Sequence, residues 1–241
     1  EEAGGSGLGM TELMLVLEAQ GRGLGLVPLW RHQLAAATLA RFGAAAHQAL
    51  TGKAAAGEAL LSLALDGLAS ATGVALEARP EGGGFALDGR VSALPLGMES
   101  AAALLPAHTP DGLRLVLLRL DADGLDKVAG VLTHGEGIAE LHCKGVRVSD
   151  ADVLPVAALA WLEARAIAAL AALQLGVSAE QVRRTVAYVS ERVQFDRPIG
   201  SFQAVQMGLA DAHMAIEALR SALWQLVYRL DAGLPAGPAA L

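Results

Sequence analysis

Near its C-terminal end the chain carries Arg192-Val-Gln-Phe-Asp-Arg-Pro-Ile-Gly-Ser-Phe-Gln-Ala-Val-Gln206, which gathers guanidinium, amide and aromatic groups within fifteen positions. A planar guanidinium held at the end of a rigid element can grip a phosphate through two parallel hydrogen bonds. Glutamine amides beside it can donate and accept. Pro198 and Gly200 interrupt the helical pattern, and Ser201 reads as the N-cap of the helix that follows. The string is therefore expected to be a turn between two long helices, presenting Arg192, Gln194 and Phe195 at a helix end. A lone arginine in such a place is ordinarily a solvated cation; the whole string is what points to chemistry.

Other reactive residue types are scattered. The histidines (His32, His47, His108, His134, His142 and His213) show no pair at metal-ligand spacing on one element, so no metal site is expected. The single cysteine, Cys143, excludes an internal disulfide and is expected to be a packed, inert thiol. Gly82-Gly-Gly84 lacks a helix start after it and reads as a hairpin loop rather than a phosphate cradle. The glycines of positions 4–9 have no strand before them, which excludes a dinucleotide fingerprint.

The elements that must hold the string follow from composition and periodicity. The 241 residues are 54% hydrophobic but 4% aromatic, with 28 glycines, which favours helices packed through small residues. The net charge of −7 and the absence of any basic run longer than two residues argue against nucleic acid as a partner. No secretory signal is expected, and with one cysteine this fits the cytoplasm. The apolar stretch from Val153 to Val177 carries Glu163 and Arg165 near its middle, each costing about 2.5–3.5 kcal/mol at a bilayer centre, so it reads as the central helix of a bundle and not as a membrane span.

Thr11 is expected to cap a helix ending near Gly21, and a second helix runs from Leu29 to Gly43. From Leu60 to Leu154 short apolar runs alternate with turn residues, Asp88-Gly89 being the strongest hairpin signal. Helix returns at Pro155. Val182, Val186, Val189 and Val193 mark one face, and Phe202, Val205, Leu209, Ala212, Ile216, Leu219, Leu223, Leu226 and Leu230 form a four-heptad seam. Met207, Met214 and Trp224 flank it as core or interface packing. The expected fold is α+β: an N-terminal helical region (1–59), a middle β-barrel-like domain (60–154) and a C-terminal antiparallel helical bundle (155–241).

The string from Arg192 to Gln206 resembles the acyl-CoA dehydrogenase family, in which Arg-x-Gln-Phe-Gly-x-Pro-Ile-Gly-x-Phe-Gln-x-x-Gln joins two bundle helices. Asp196 stands where that family usually has Gly. Supporting likenesses are Glu2-Ala-Gly-Gly-Ser-Gly-Leu-Gly9, Leu17-Glu-Ala-Gln-Gly-Arg22, Ala40-Arg-Phe-Gly43, Gly84-Phe-Ala-Leu-Asp-Gly-Arg90 and the strand-like Leu141–Ser149. Relative to the family the chain is expected to be cut at both ends.

The resemblance implies FAD as cofactor and the oxidation of an acyl-CoA thioester to its 2,3-enoyl form, a carboxylate removing the α proton. It also implies an electron-transfer acceptor protein and a homo- or hetero-oligomer formed through the C-terminal helices. Position by position, Arg192 matches the arginine that reaches the FAD pyrophosphate across a subunit interface. Gln194 and Phe195 match positions near the adenosine, and Phe202 and Gln203 match further FAD contacts. Ala166 occupies the place of the catalytic base in those members that carry it on the long helix, and Glu163, one turn earlier, is the candidate base that remains. Leu63-Ala-Leu-Asp-Gly-Leu-Ala-Ser-Ala71 and Leu94-Pro-Leu-Gly97 replace the segments that normally contact the flavin ring. The alternative implied is therefore a degenerate, non-catalytic subunit that contributes to a shared FAD site.

Overall fold

A computed structural model describes residues 5–236. The start of the Glu2–Gly9 loop and the end of the Gly233–Pro238 tail lie outside the described residues. Contacts divide the chain into two units, one of which contains Pro28–Glu163, while the other joins Leu8–Val27 to the chain from Ala164 onward. The first helix thus groups with the C-terminal helices, not with the helices that follow it in sequence.

In the first unit, α2 (Leu29–Phe42) and α3 (Gln48–Ala55) precede seven strands. These are β1 (Leu61–Leu63), β2 (Leu76–Pro80), β3 (Gly84–Pro95), β4 (Ala102–Thr109), β5 (Gly112–Arg119), β6 (Leu125–Val131) and β7 (Gly137–Ser149), with a one-turn helix α4 (Asp66–Ala69) after β1. The sheet order is β1-β4-β2-β3-β7-β6, with β5 also paired to β4. Alternation buries one set of side chains, including Leu87, Leu94, Leu105, Val116, Leu141 and Val146. Cys143 joins them, and burial, with Asp88 nearby, pushes its thiol up to about 11.

Two expectations fail here for identifiable reasons. Asp88-Gly89 is no turn: β3 runs through it with a register shift, and Gly89 sits at φ 128° beside the β2 backbone. A Cβ at Gly89 would lie 2.0 Å from the Ala75 carbonyl oxygen, so glycine is required by close approach. The chain reverses instead at Glu81–Gly83, where Gly82 and Gly83 both have positive φ. Strand β4 escapes a reading based on β-branched and aromatic residues because it is alanine-rich and contains Pro106.

Two imidazoles tie the helices to the strands. His32 Nδ1 accepts the Leu61 N–H at 3.1 Å, with Nε2 3.2 Å from the Ala54 carbonyl. His47 Nδ1 accepts from Ala44 N–H at 3.1 Å, and Nε2 lies 3.0 Å from Asp152. Each ring is thereby committed to holding the fold together.

The second unit contains α1 (Met10–Gly23), α5 (Ala157–Glu191) from Ala164 onward, and α6 (Gln203–Asp231). α1 crosses α5 closely: a Cβ on Gly176 would lie 2.0 Å from the Glu18 carbonyl oxygen. Thr11 is not the N-cap of α1, which begins one residue earlier after Gly9. The cap is supplied from α6, where the Asp231 carboxylate accepts from the Met10 N–H at 2.8 Å and from the N–H (3.0 Å) and hydroxyl (2.6 Å) of Thr11. Glu18, nearly buried, accepts from Arg220 at 2.8 Å.

The α6 seam is as expected, every one of its nine positions being buried or half-buried. The valine face holds only in part: on α5 Val189 is buried but Val186 is exposed, and Val193 lies beyond the helix and is exposed. Met207, Met214 and Trp224 are also exposed, so they are not core. Over its most apolar window α5 has a mean hydropathy of 1.4, long and apolar enough to cross a membrane by length and composition; in the fold it is a helix of the bundle.

Candidate cofactor-contacting site

The helical run of α5 ends at Glu191, and the backbone of Arg192 is held on both sides. Its N–H donates to Tyr188 O at 2.9 Å, and its carbonyl accepts from the Ile199 N–H at 2.8 Å. Between these bonds lies a miniature hairpin of β8 (Val193–Gln194) and β9 (Arg197–Pro198), paired Val193↔Pro198 and Gln194↔Arg197. Its two loop residues, Phe195 and Asp196, both have positive φ (55° and 62°), the geometry of a primed hairpin turn that glycine or asparagine ordinarily occupies.

The hairpin is stiffened by a stack that sequence reading missed. The Arg197 guanidinium lies 4.0 Å from the centre of the Phe202 ring, and Phe195 meets Phe202 edge-on at 6.1 Å. Ser201 does not cap α6: it lies in a 3-10 turn, its hydroxyl donating to Pro198 O at 2.7 Å, and Phe202 takes the cap position. Gln206 reaches back to Gly200 O at 3.0 Å and closes the turn. Proximity alone would not have revealed Arg197; its pairing with Phe202 depends on the chain reversal between them.

Of the sequence-predicted contacts, Arg192, Gln194, Phe195 and Gln203 are exposed, Phe195 to 86%. Gln194 folds its amide onto the Val193 carbonyl at 2.9 Å. Phe202 is half-buried in the stack, so it supports the hairpin as much as it faces outward. The arrangement offers a charge, amides and a projecting ring on a frame fixed at both ends. On α5, Glu163 is exposed and Ala166, three residues on, is buried. Among the described residues no group of three metal-ligating side chains converges.

The segments that correspond to the flavin-contacting ones lie in the sheet unit and present little for a flavin to bond. Leu63, Ala64 and Leu94 are buried. The Ser62 hydroxyl faces inward and donates to Pro95 O at 2.5 Å. Ser70 and Thr72 bond one another at 2.8 Å.

Residues 162–241 match the family model for the acyl-CoA dehydrogenase C-terminal domain. The acyl-CoA dehydrogenase FadE27 of Mycobacterium tuberculosis is 36% identical over 233 residues, 95% of this chain and 62% of the relative. FadE28 of the same organism is 32% identical over 252 residues, 97% of this chain and 68% of the relative. The chain belongs to the acyl-CoA dehydrogenase family. It spans about three fifths of the length of FadE27. Among solved structures, the ChsE4-ChsE5 complex of M. tuberculosis shares 34% identity at a TM-score of 0.89, over 99% of this chain and 65% of that one. A variant of the Tcur3481-Tcur3483 steroid ACAD shares 38% at 0.88, over 99% and 66%.

FAD is the cofactor of this family and fold. The hairpin residues fit its polar end, since a guanidinium and amides suit a pyrophosphate and an exposed ring suits an adenine. The sheet segments do not fit its ring, because among their described side chains the hydroxyls are bonded within the chain and the others are aliphatic.

Proposed function

We propose that this chain is one subunit of a two-chain, FAD-dependent acyl-CoA dehydrogenase, and that it lends its hairpin to a flavin whose ring is cradled by the other subunit. The observation that carries the reading is the mismatch just described: a rigid, uncommitted hairpin in one unit and a stripped flavin floor in the other. The heteromeric naming of the two similar solved structures supports it. In this reading Arg192 holds the pyrophosphate, Gln194, Phe195 and Gln203 orient the adenosine half, and Arg197 and Phe202 keep the hairpin from swinging.

When bound, FAD supplies the two-electron sink for removal of the α and β hydrogens of the thioester. The proton at the α carbon needs a carboxylate facing it, and the buried methyl of Ala166 cannot accept one. In this reading the base comes from the partner. A thioester of a steroid acid is the first substrate to try, given the steroid enzyme among the similar structures. An electron-transferring flavoprotein as acceptor and a cytoplasmic setting complete the proposal.

A second reading, in which the chain is catalytic by itself, is favoured by the exposed carboxylate of Glu163, which would then be the base. Purification with and without a homologous acyl-CoA dehydrogenase subunit separates the two. The first reading expects flavin and turnover only in the mixed complex, and expects Arg192→Ala to weaken FAD retention there by about 1.5–3 kcal/mol. Stoichiometric flavin and acyl-CoA oxidation by the chain alone, abolished by Glu163→Gln, would establish the second.

A further inference from the structure

Within the sheet unit a cleft of about 310 Å³ opens where the hydrogen-bonded ladder parts, and Ala64, Gly67 and Ser70 of the segment that offers the flavin ring so little form part of its lining. Two independent breaks meet there. β1 pairs with β4 only as far as Leu63↔Leu104, and β2 meets β4 only at Glu77↔His108. Pro106 lies in the interval between them and has no N–H to offer a strand on that side. On β3 the register shifts between Val91 and Leu94, a bulge over Ser92 and Ala93.

The cleft is graded from apolar to polar. Ala64, Leu76 and Pro106 are buried at its floor, and Val74 and Val91 are half-buried in its walls. At the exposed rim stand Thr72, Ser92 and Arg90. Arg90 is the one lining side chain larger than leucine, so the space stays open. Its guanidinium touches Glu140 at 3.4 Å, with 58% and 34% of the two side chains exposed. So loose a surface pair contributes little and leaves the guanidinium able to turn to another anion.

We propose that this cleft binds a compact hydrophobic carboxylate, with its apolar body on Ala64, Leu76 and Pro106 and its carboxylate on Arg90. The volume sits at the low end of small-molecule sites, roughly 300–1,000 Å³, which suits a single acid of modest size and not a whole dinucleotide. The proposal rests on the reading that the Leu63–Ala71 segment no longer floors the flavin ring, and it needs no partner subunit.

Titration calorimetry of the full chain with decanoate, and with decanol as its neutral counterpart, tests it. Decanoate is expected to bind saturably at one site. Ala93→Trp, which fills the cleft, and Thr72→Trp, which covers its exposed rim, are each expected to abolish that binding in protein whose circular dichroism is unchanged. Arg90→Ala is expected to weaken decanoate about tenfold and to leave decanol unaffected. FAD is expected not to compete. Absence of saturable binding, binding that survives both tryptophan variants, equal loss of decanol in Arg90→Ala, or displacement by FAD would each overturn the proposal.

Discussion

Phe195 and Asp196 hold left-handed backbone where neither side chain favours it, at a cost on the order of 1 kcal/mol for each such residue. Asp196→Gly should relieve one of these costs and raise the stability of the chain by about 1 kcal/mol, read as a higher midpoint in urea; an unchanged or lower midpoint would mean that the aspartate makes up the difference. Glu180 poses a different residue-level question. Its hydrogen bonds to Arg183 and then Arg184 hold its carboxyl down at about 2, from an ordinary value of 4.5. A depressed folded value means that its stabilisation is complete above pH 4.5 and is lost as the pH falls through about 2. Carbon NMR of the Glu180 carboxyl should show titration near 2, returning toward 4.5 in the Arg183→Ala, Arg184→Ala double variant. The proposed site residues Arg192, Gln194 and Phe195 could be picked out because their types sit in one short run. Arg197 was not, since a cation over a ring leaves no trace in spacing.

At the scale of elements, long periodic helices were legible and their ends were not. The α6 seam could be read because nine apolar positions keep one phase, whereas Thr11 and Ser201 misled because a capping residue is judged from its neighbours alone. The true cap of α1 lies 220 positions away from Thr11. Asp231→Ala should therefore fray the start of α1 and cost about 1–2 kcal/mol, visible as faster amide exchange at Met10 and Thr11; exchange that stays slow would show that Glu12, which accepts from the Gly9 N–H at 2.8 Å, suffices. The same limit explains Asp88-Gly89, since whether such a pair turns or bulges depends on which strand lies beside it. One further strand reads from sequence as two apolar runs, Ile138–Cys143 and Val146–Val148, yet both belong to β7.

On the scale of the whole molecule, Met207, Met214 and Tyr228 recur at heptad spacing on α6 with Ser221 completing the phase, and the three are 59%, 61% and 67% exposed. A stripe of that kind is an unusual thing for a helix to leave in water. If it meets the other subunit, Met214→Glu should weaken assembly by about 1.5–3 kcal/mol, seen by light scattering as dissociation at concentrations where the unaltered complex stays whole; a mass that does not change would place the interface elsewhere. Sequence alone put these methionines in a core or an interface and could not choose, because a heptad seam looks the same from either side.

The bond from Asp231 to the first turn of α1 also orders the birth of the protein. A ribosome delivers Leu8–Val27 first and Asp231 more than two hundred residues later. The sheet unit, contiguous from Pro28 to Glu163, has all those residues in hand before that happens, and units of this kind close as they emerge. α1 must wait, with Met14 and Leu17, both fully buried in the finished fold, still looking for cover. During synthesis its apolar side is thus what a chaperone would meet, and a pause in translation before α6 lengthens that wait without touching the sheet.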